Sequence, residues 1–531
     1  MTEDTARGGF FLVSGTAIST VIMAIASILV ARLLGPEFYG QYALALVVPQ
    51  LLFLFTDLGI NSGIVKFSAA MRSTGETNRI STIIKHGLII RASIGIAISI
   101  ANYTLSGIIA SNILQRPELA FYMQIASIAI LFQVVFSTVT FSFIGLYKTE
   151  YHALTTNIMA TAKTIVSIAL ILVGLSITGA IIGYTVSYVI ASLAGAFLLF
   201  LLLRKVKTPA KTDSFKTNAK TLFQYGTPLY ISVILAGFLP LFINIMLALF
   251  TTDAAIGNYK AAINFATLLT VLAVPITTVL LPAFSKLNST TSHKTKDFFK
   301  IANKYATMLV IPITFLIIIF SNEIVQIIYG STYTLASPFL STYCLLYALV
   351  GVGYLILPSL YNGLGKTKIT LKMNLITFTA VIILSWPLTQ AYGVQGIIAA
   401  FIIANTIGTL YGTYIAKRNF QVEFDVKNLT KIYIISAISG AIPLLLLNFT
   451  KLQNIINLVA GGVIYLLSYI ALLTLANVVT PSELEKIAYA TRNTQFLSQL
   501  TQLIVKYQQK ILQLKNQIKN QDAIQHTSNK N

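Results

Sequence analysis

Charge is missing from twelve long stretches of this 531-residue chain, and that spacing leaves few folds open. The uncharged runs are 8–31, 38–56, 92–115, 119–147, 164–203, 221–252, 261–285, 305–322, 324–365, 373–416, 432–450 and 452–482. A helix needs about 20 apolar residues to cross the hydrocarbon core of a bilayer. Most runs hold one span. Three are too long for one and carry a break: Gly174-Leu-Ser-Ile-Thr-Gly179, Gln390-Ala-Tyr-Gly-Val-Gln-Gly396, and the polar connection from Gly330 to Pro338. Two further spans hold a charge inside them, 83–112 with Arg91 and 153–173 with Lys163. The expected fold is an all-α polytopic membrane protein of fourteen transmembrane helices, with both termini on one side.

Composition agrees. The chain is 56% hydrophobic and 10% charged, and a soluble chain carries about a quarter of its residues as charges. A net charge of +21 would ordinarily suggest nucleic acid as a partner, but here Lys and Arg follow topology instead. The amino terminus and every second loop hold 24 of the 37, in clusters such as 66–85, 204–220, 286–304, 366–372 and 417–431. The opposite loops hold Arg32, Arg116, Lys260 and Lys451. Basic loops stay cytoplasmic, so both termini are expected in the cytoplasm of a multi-pass cell-membrane protein, with anionic membrane lipids beside the basic loops. The first apolar run is too long for a cleavable signal and leads straight into a second. The one cysteine, Cys344, excludes a disulfide framework and a cysteine metal site.

The chain repeats itself at an offset near 217 residues. Gly145-Leu-Tyr-Lys-Thr149 recurs as Gly363-Leu-Gly-Lys-Thr367, Asn157 as Asn374, Gly179-Ala-Ile-Ile as Gly396-Ile-Ile-Ala, and Gly40-Gln-Tyr42 as Gly257-Asn-Tyr259. Six spans lie within that offset, so the halves share one orientation about an axis along the membrane normal. The expected organisation is an N-lobe of six helices at 1–203, a basic linker at 204–220 and a C-lobe of six at 221–416. Two extra helices follow at 417–480, then a tail at 481–531. Two parallel lobes suit alternating access.

Leu34-Gly-Pro-Glu-Phe-Tyr-Gly40, Thr56-Asp-Leu-Gly59 at the end of the second span, and Leu281-Pro-Ala-Phe-Ser-Lys-Leu287 resemble polysaccharide flippases. These are prokaryotic members of the multidrug/oligosaccharidyl-lipid/polysaccharide exporter superfamily, and the resemblance covers all fourteen spans but not the tail. It implies translocation of a polyprenyl-(pyro)phosphate-linked oligosaccharide from the cytoplasmic to the outer leaflet. It also favours spans 1, 2, 7 and 8 as cavity walls.

That task needs a wet, cationic path, because an unpaired charge at the bilayer centre costs at least about 3 kcal/mol. Lys163, about ten residues into its span, is the sharpest candidate for holding an anionic lipid-linked glycan; Thr156 and Ser167 share its face. Arg91 heads a polar stripe with Ser99 and Asn102. Lys260, Asn264 and Thr267 share one face of span 8, and Asn244 lies midway along span 7. For Lys260 and Arg91 the competing reading is snorkelling to an interface; for Lys163 it is a structural pair with a neighbouring helix. Asp57, with Asn61 one turn on and at the cytoplasmic end of span 2, is either a local charge pair or part of an ion-coupling site. The Gly365–Thr367 stretch lacks the first glycine of a phosphate loop.

No catalytic constellation is legible. His86, His152, His293 and His526 lie in separate segments, and the spans hold no paired carboxylates. A non-enzyme without cofactor or metal is expected, which leaves an integral-membrane glycosyltransferase or polymerase as the weaker reading. A cation-coupled multidrug exporter of the same superfamily is the closer competitor, but it would place acids in the membrane, and the deep charges here are basic. The tail carries an apolar seam, Leu497, Leu500, Ile504, Tyr507, Ile511, Leu514 and Ile518. It fits an amphipathic helix on the inner leaflet, or a short coiled coil joining a second subunit or a cytoplasmic glycosyltransferase.

Overall fold

A computed structural model of the chain describes residues 2–74, 76–204, 214–287, 292–447 and 454–479, and in the carboxyl-terminal segment 483, 499, 502–513 and 517. Among these, all regular structure is helical: α1 (Thr2–Leu54), α2 (Ile60–Ser73), α3 (Thr77–Ile108), α4 (Leu119–Gly145), α5 (Thr149–Leu170), α6 (Ser176–Arg204), α7 (Phe215–Phe250), α8 (Asp253–Ala266), α9 (Leu268–Lys286), α10 (Ser292–Ile319), α11 (Ser321–Ile328), α12 (Ala336–Cys344), α13 (Ile356–Gly363), α14 (Thr367–Phe420), α15 (Val426–Leu447) and α16 (Asn454–Leu475). Linker positions 205–213, and Leu497, Leu500, Leu514 and Ile518 of the tail seam, lie outside the described residues.

Among the described residues, eight helical stretches are long and apolar enough to cross a membrane, nine if the bent pair Ala336–Val352 and Ile356–Gly363 is one span. Three of them, Ser14–Leu54, Thr149–Arg204 and Thr367–Phe420, run to 41, 56 and 54 residues, about twice one crossing. Each turns back on itself at a glycine with positive φ: Gly35, Gly174 and Gly393. Gly183 packs on Ser167 across the Gly174 turn, and Gly408 packs on Met373 and Thr377 across the Gly393 turn. These long stretches are hairpins, which is why the uncharged runs 164–203 and 373–416 exceeded a single span.

The second span differs from expectation. Thr56-Asp-Leu-Gly59 interrupts it rather than ending it. Leu58 and Gly59 take φ of 47° and 79°, and a fresh helix, α2, starts at Ile60. The path continues along α7 in descending register. Leu54 accepts a hydrogen bond from the Tyr230 hydroxyl at 3.0 Å, Gly59 lies against Gly226, and Gly63 lies against Leu222. Ile60 and Ile64 of α2 are buried with Ile83, Phe143 and Leu222, apolar neighbours that draw the chain onward beyond the break.

The repeat is visible bond by bond. After α4 the amides of Leu146, Tyr147 and Lys148 donate to Ser142, Ile144 and Phe143 at 2.9, 3.0 and 2.8 Å. After α13 the amides of Leu364, Gly365 and Lys366 donate to Leu360, Asn362 and Tyr361 at 3.0, 3.1 and 2.7 Å. Gly145 abuts Ile64, Val65 and Ser68, while Gly363 abuts Leu281, Phe284 and Ser285. Gly40 and Gly257 meet directly: a Cβ on Gly40 would overlap the Asp253 carbonyl, and one on Gly257 would overlap the Pro36 carbonyl. Because 36 and 253 are related by the repeat just as 40 and 257 are, this crossing is a local two-fold contact.

Contacts group the chain into two compact units: 1–264 with 328–336 and 382–400, and 265–327 with 337–381 and 401–531. The Gly40–Gly257 crossing is one reason that α7 and α8 group with the first six helical segments. In the second unit, Ile311, Ile432, Ile435, Tyr469 and Leu473 form a buried core. The described tail there begins at Glu483, whose carboxylate takes Lys304 Nζ at 2.8 and 3.1 Å. Seam residues Ile504, Tyr507 and Ile511 are half-buried, and the Tyr507 hydroxyl donates to the Leu467 carbonyl of α16 at 3.5 Å.

Candidate functional site

The helix break at 55–59 places Asp57 inside the bundle of the first unit. Arg91, on α3, comes to meet it. The guanidinium is fully buried, donating to Ser137 Oγ and Thr138 Oγ1 at 3.2 Å and to Thr56 Oγ1 at 3.0 Å, with the Asp57 carboxylate 3.7 Å away. Ser137 and Thr138 lie eight and seven residues before the end of α4, about 11–12 Å along the helix, so the group is deep. Asp57 also accepts the Asn61 amide at 3.1 Å, and Asn61 Nδ2 donates to Ser137 at 2.8 Å. Arg91 is thus a structural cross-brace between the broken span, α3 and α4. Its charge faces the Asp57 carboxylate. The rest of its stripe turns the same way, since Ser99 donates to the Ser127 carbonyl and Asn102 donates to Met123 and Ser127 at 3.1 and 2.7 Å.

Lys163 is different. It stands on α5, about 21 Å along the helix from Thr149, half-buried, with Nζ 5.2 Å from the centre of the Tyr184 ring on α6. Among the described residues no carboxylate pairs with it. Tyr184 accepts from Gln133 of α4, bonds Gln50 of α1 and packs edge-on against Tyr188 at 5.1 Å. Groups from four helical segments, an ammonium, two amides and a second hydroxyl-bearing ring among them, thus converge on Tyr184. The residues expected on its face do not join it: Thr156 bonds its own helix, and Ser167 packs between α5 and α6.

Lys260 is the eighth residue of α8, roughly 10 Å from its start, half-buried and likewise without a carboxylate partner among the described residues. One turn on, Asn264 donates to both Ser27 Oγ and Tyr39 Oη at 2.8 Å, and these two oxygens are 2.9 Å apart. Tyr39 stacks on Tyr42 at 6.1 Å. Tyr39 and Tyr42 fall in stretches read for the family resemblance and the repeat rather than for a site, and no spacing rule pointed to Tyr184 or Tyr188 among the 26 tyrosines. Asn244 is buried on α7, with its Oδ1 unpartnered among the described residues. It is the repeat counterpart of Ser27. Thr267 is the residue between the end of α8 and the start of α9.

The sequence profile of the polysaccharide biosynthesis protein family matches residues 5–288, more than half of the chain. The chain belongs to that family. Within it, the family resemblance read from 34–40, 56–59 and 281–287 holds. A probable low-salt glycan biosynthesis flippase of Haloferax volcanii is 25% identical over 225 residues, covering 42% of this chain and 47% of that relative, so the chain spans about half of its length. The lipopolysaccharide biosynthesis protein WzxC of Escherichia coli is 23% identical over 413 residues, 75% of this chain and 79% of that protein. Among solved structures, lipid II flippase MurJ in an inward closed conformation aligns with a TM-score of 0.69 at 21% identity, over 86% of this chain and 98% of MurJ. An inward-facing multidrug resistance MATE family transporter of the MOP superfamily gives 0.59 at 15%, over 77% and 98%. The all-helical, multi-pass membrane fold is shared with both.

Proposed function

We propose that the chain is an alternating-access flippase that moves a polyprenyl-(pyro)phosphate-linked oligosaccharide from the cytoplasmic to the outer leaflet, for cell-surface polysaccharide or glycoprotein synthesis. The observation that carries this reading is electrostatic. Lys163 and Lys260 stand within apolar helices with no carboxylate beside them among the described residues, while the embedded carboxylate, Asp57, already has Arg91 as its partner. Such a field favours an anion over a cation. Around the lysines, tyrosine hydroxyls and the Asn264, Gln133 and Gln50 amides match the hydrogen-bonding needs of a polyol. The glycan and lipopolysaccharide relatives support the cargo class, and in an inside-negative cell export of an anion is downhill by about 2.3 kcal/mol per charge per 100 mV.

In this reading the chain crosses the cell membrane fourteen times with both termini cytoplasmic. The repeats at 1–203 and 221–416 act as lobes, Lys163, Lys260, Asn244 and Asn264 contact the cargo, and Asp57 and Asn61 serve the brace rather than ion coupling. The tail lies along the inner leaflet or docks a cytoplasmic glycosyltransferase or a second subunit. The deciding experiment is reconstitution with a labelled lipid-linked glycan, comparing wild type with Lys163→Gln and Lys260→Gln. Exchange no faster than in empty vesicles removes the function; normal exchange by both variants removes the site.

A further inference from the structure

Two connecting turns outside the cargo path carry reciprocal side chains. Arg116, between α3 and α4, pairs with Asp253 and donates to the carbonyls of Ala248 and Thr251 at 2.7 Å and of Leu114 at 2.9 Å. Ala248 and Thr251 form the end of α7, where a cation also meets the negative pole of the helix. Gln41 donates to the second Asp253 oxygen at 3.0 Å. Tyr333, 217 residues after Arg116, donates to the carbonyl of Ala31, 217 residues before Ala248. Asn258, 217 residues after Gln41, accepts the Leu335 amide at 3.1 Å. Each repeat thus inserts a side chain from its third inter-span connection onto the same carbonyl of the other repeat. The Gly40–Gly257 crossing lies between the two clasps.

We infer that these two clasps and the glycine crossing are the outer gate of the transporter, shut in this structure, and that Arg116–Asp253 is its releasable latch. The inference rests on the flippase reading for its purpose and on the basic-loop topology for its side. At the crossing the two backbones leave no room even for a methyl group, so nothing passes while it holds. Opening has to part Gly40 from Gly257, which breaks both clasps because they bridge the same repeats. The Arg116 and Asp253 side chains are 14% and 13% exposed, close enough to water that each charge is rehydrated once they separate. Tyr333 offers a single neutral donor and is the weaker clasp. Breaking the latch should shift the population toward the outward-open state without any cargo.

The test reads accessibility. In a Cys344→Ser background, Ala43→Cys lies one turn inward from Gly40, at the repeat counterpart of Lys260. Intact cells are treated with a membrane-impermeant maleimide. Labelling is expected to be low in this parent and to rise about tenfold with Arg116→Asp or Asp253→Arg, the shift that loss of one charge-assisted hydrogen bond produces. The Arg116→Asp/Asp253→Arg double variant should return toward the parent. Tyr333→Phe should raise labelling less, and further when combined with either single variant. Should the charge variants fail to reach the membrane, Gln41→Leu and Arg116→Lys serve as milder ones, expected to give smaller rises. Unchanged labelling at equal membrane abundance, a double variant labelled as strongly as the singles, or labelling only in inside-out vesicles overturns the gate. The readout needs no glycan, so this result and the exchange assay fail independently.

Discussion

Arg91 holds its guanidinium 3.7 Å from the Asp57 carboxylate, fully buried, at the point where the second span breaks. Two hydroxyls of α4 and that of Thr56 accept three of its N–H groups, so one side chain ties three helical segments together. Removing one member of a buried ion pair costs about 3–5 kcal/mol, because the other is left uncompensated. Arg91→Gln should therefore lower the thermal midpoint in detergent sharply, and the double variant Arg91→Gln/Asp57→Asn should recover part of the loss. A stable Arg91→Gln protein that exchanges no glycan would instead place the arginine in the cargo path.

Lys163 should behave in the opposite way. Its visible partner is the face of Tyr184, an interaction worth about 0.5–2 kcal/mol. Lys163→Gln should shift stability by about 1 kcal/mol or less and cut glycan exchange roughly tenfold, the effect of one lost charge-assisted contact. Lys163→Arg should keep the charge and most of the exchange. If Lys163→Gln loses stability and exchange together, the lysine is a packing element.

These two residues show what the sequence could and could not convey. Both are charges inside apolar runs, and the linear pattern treats them alike. What separates them is which partners the fold delivers. Arg91 meets Asp57, 34 residues earlier, only because the chain breaks at Leu58 and resumes as α2. The break was legible as Thr-Asp-Leu-Gly. Its position inside a continuing helix was not, since that depends on Gly59 packing against Gly226. The long apolar helices and the matched turns after α4 and α13 were legible because hydrophobic length and glycine turns act locally. The Asn264–Tyr39 bond and the Arg116 and Tyr333 clasps join residues more than 100 apart, and no local pattern encodes them.

Glycine at the break can be separated into conformation and space. Gly35 and Gly59 have φ of 74° and 79°, but a Cβ on Gly35 meets nothing within 4 Å, whereas one on Gly59 overlaps the Gly226 backbone. Gly35, with ψ of 170°, sits in a nearly glycine-only region, so Gly35→Ala should cost about 1–3 kcal/mol from conformation alone. Gly59, with ψ of 5°, is left-handed helical, so Gly59→Ala should combine a conformational cost of about 1–2 kcal/mol with about 1–3 kcal/mol from overpacking. Equal thermal midpoints for the two variants would show that α2 and α7 separate easily at this level.

The repeated turns after α4 and α13 allow the same comparison at matched positions. Both use one residue with positive φ, Tyr147 at 54° and Gly365 at 69°, and the same pattern of three amide bonds. Gly365→Tyr imposes the left-handed penalty of about 1–2 kcal/mol. Tyr147→Gly removes that penalty. It also gives up the Arg72 guanidinium 5.7 Å from the ring centre, about 0.5–1 kcal/mol, and restores backbone freedom to the unfolded chain at about 0.5–1 kcal/mol. The three contributions nearly cancel, so Tyr147→Gly should leave the thermal midpoint almost unchanged while Gly365→Tyr lowers it. A clear gain in Tyr147→Gly would mean that Arg72 is held by the Leu146 carbonyl alone and that the ring contributes nothing.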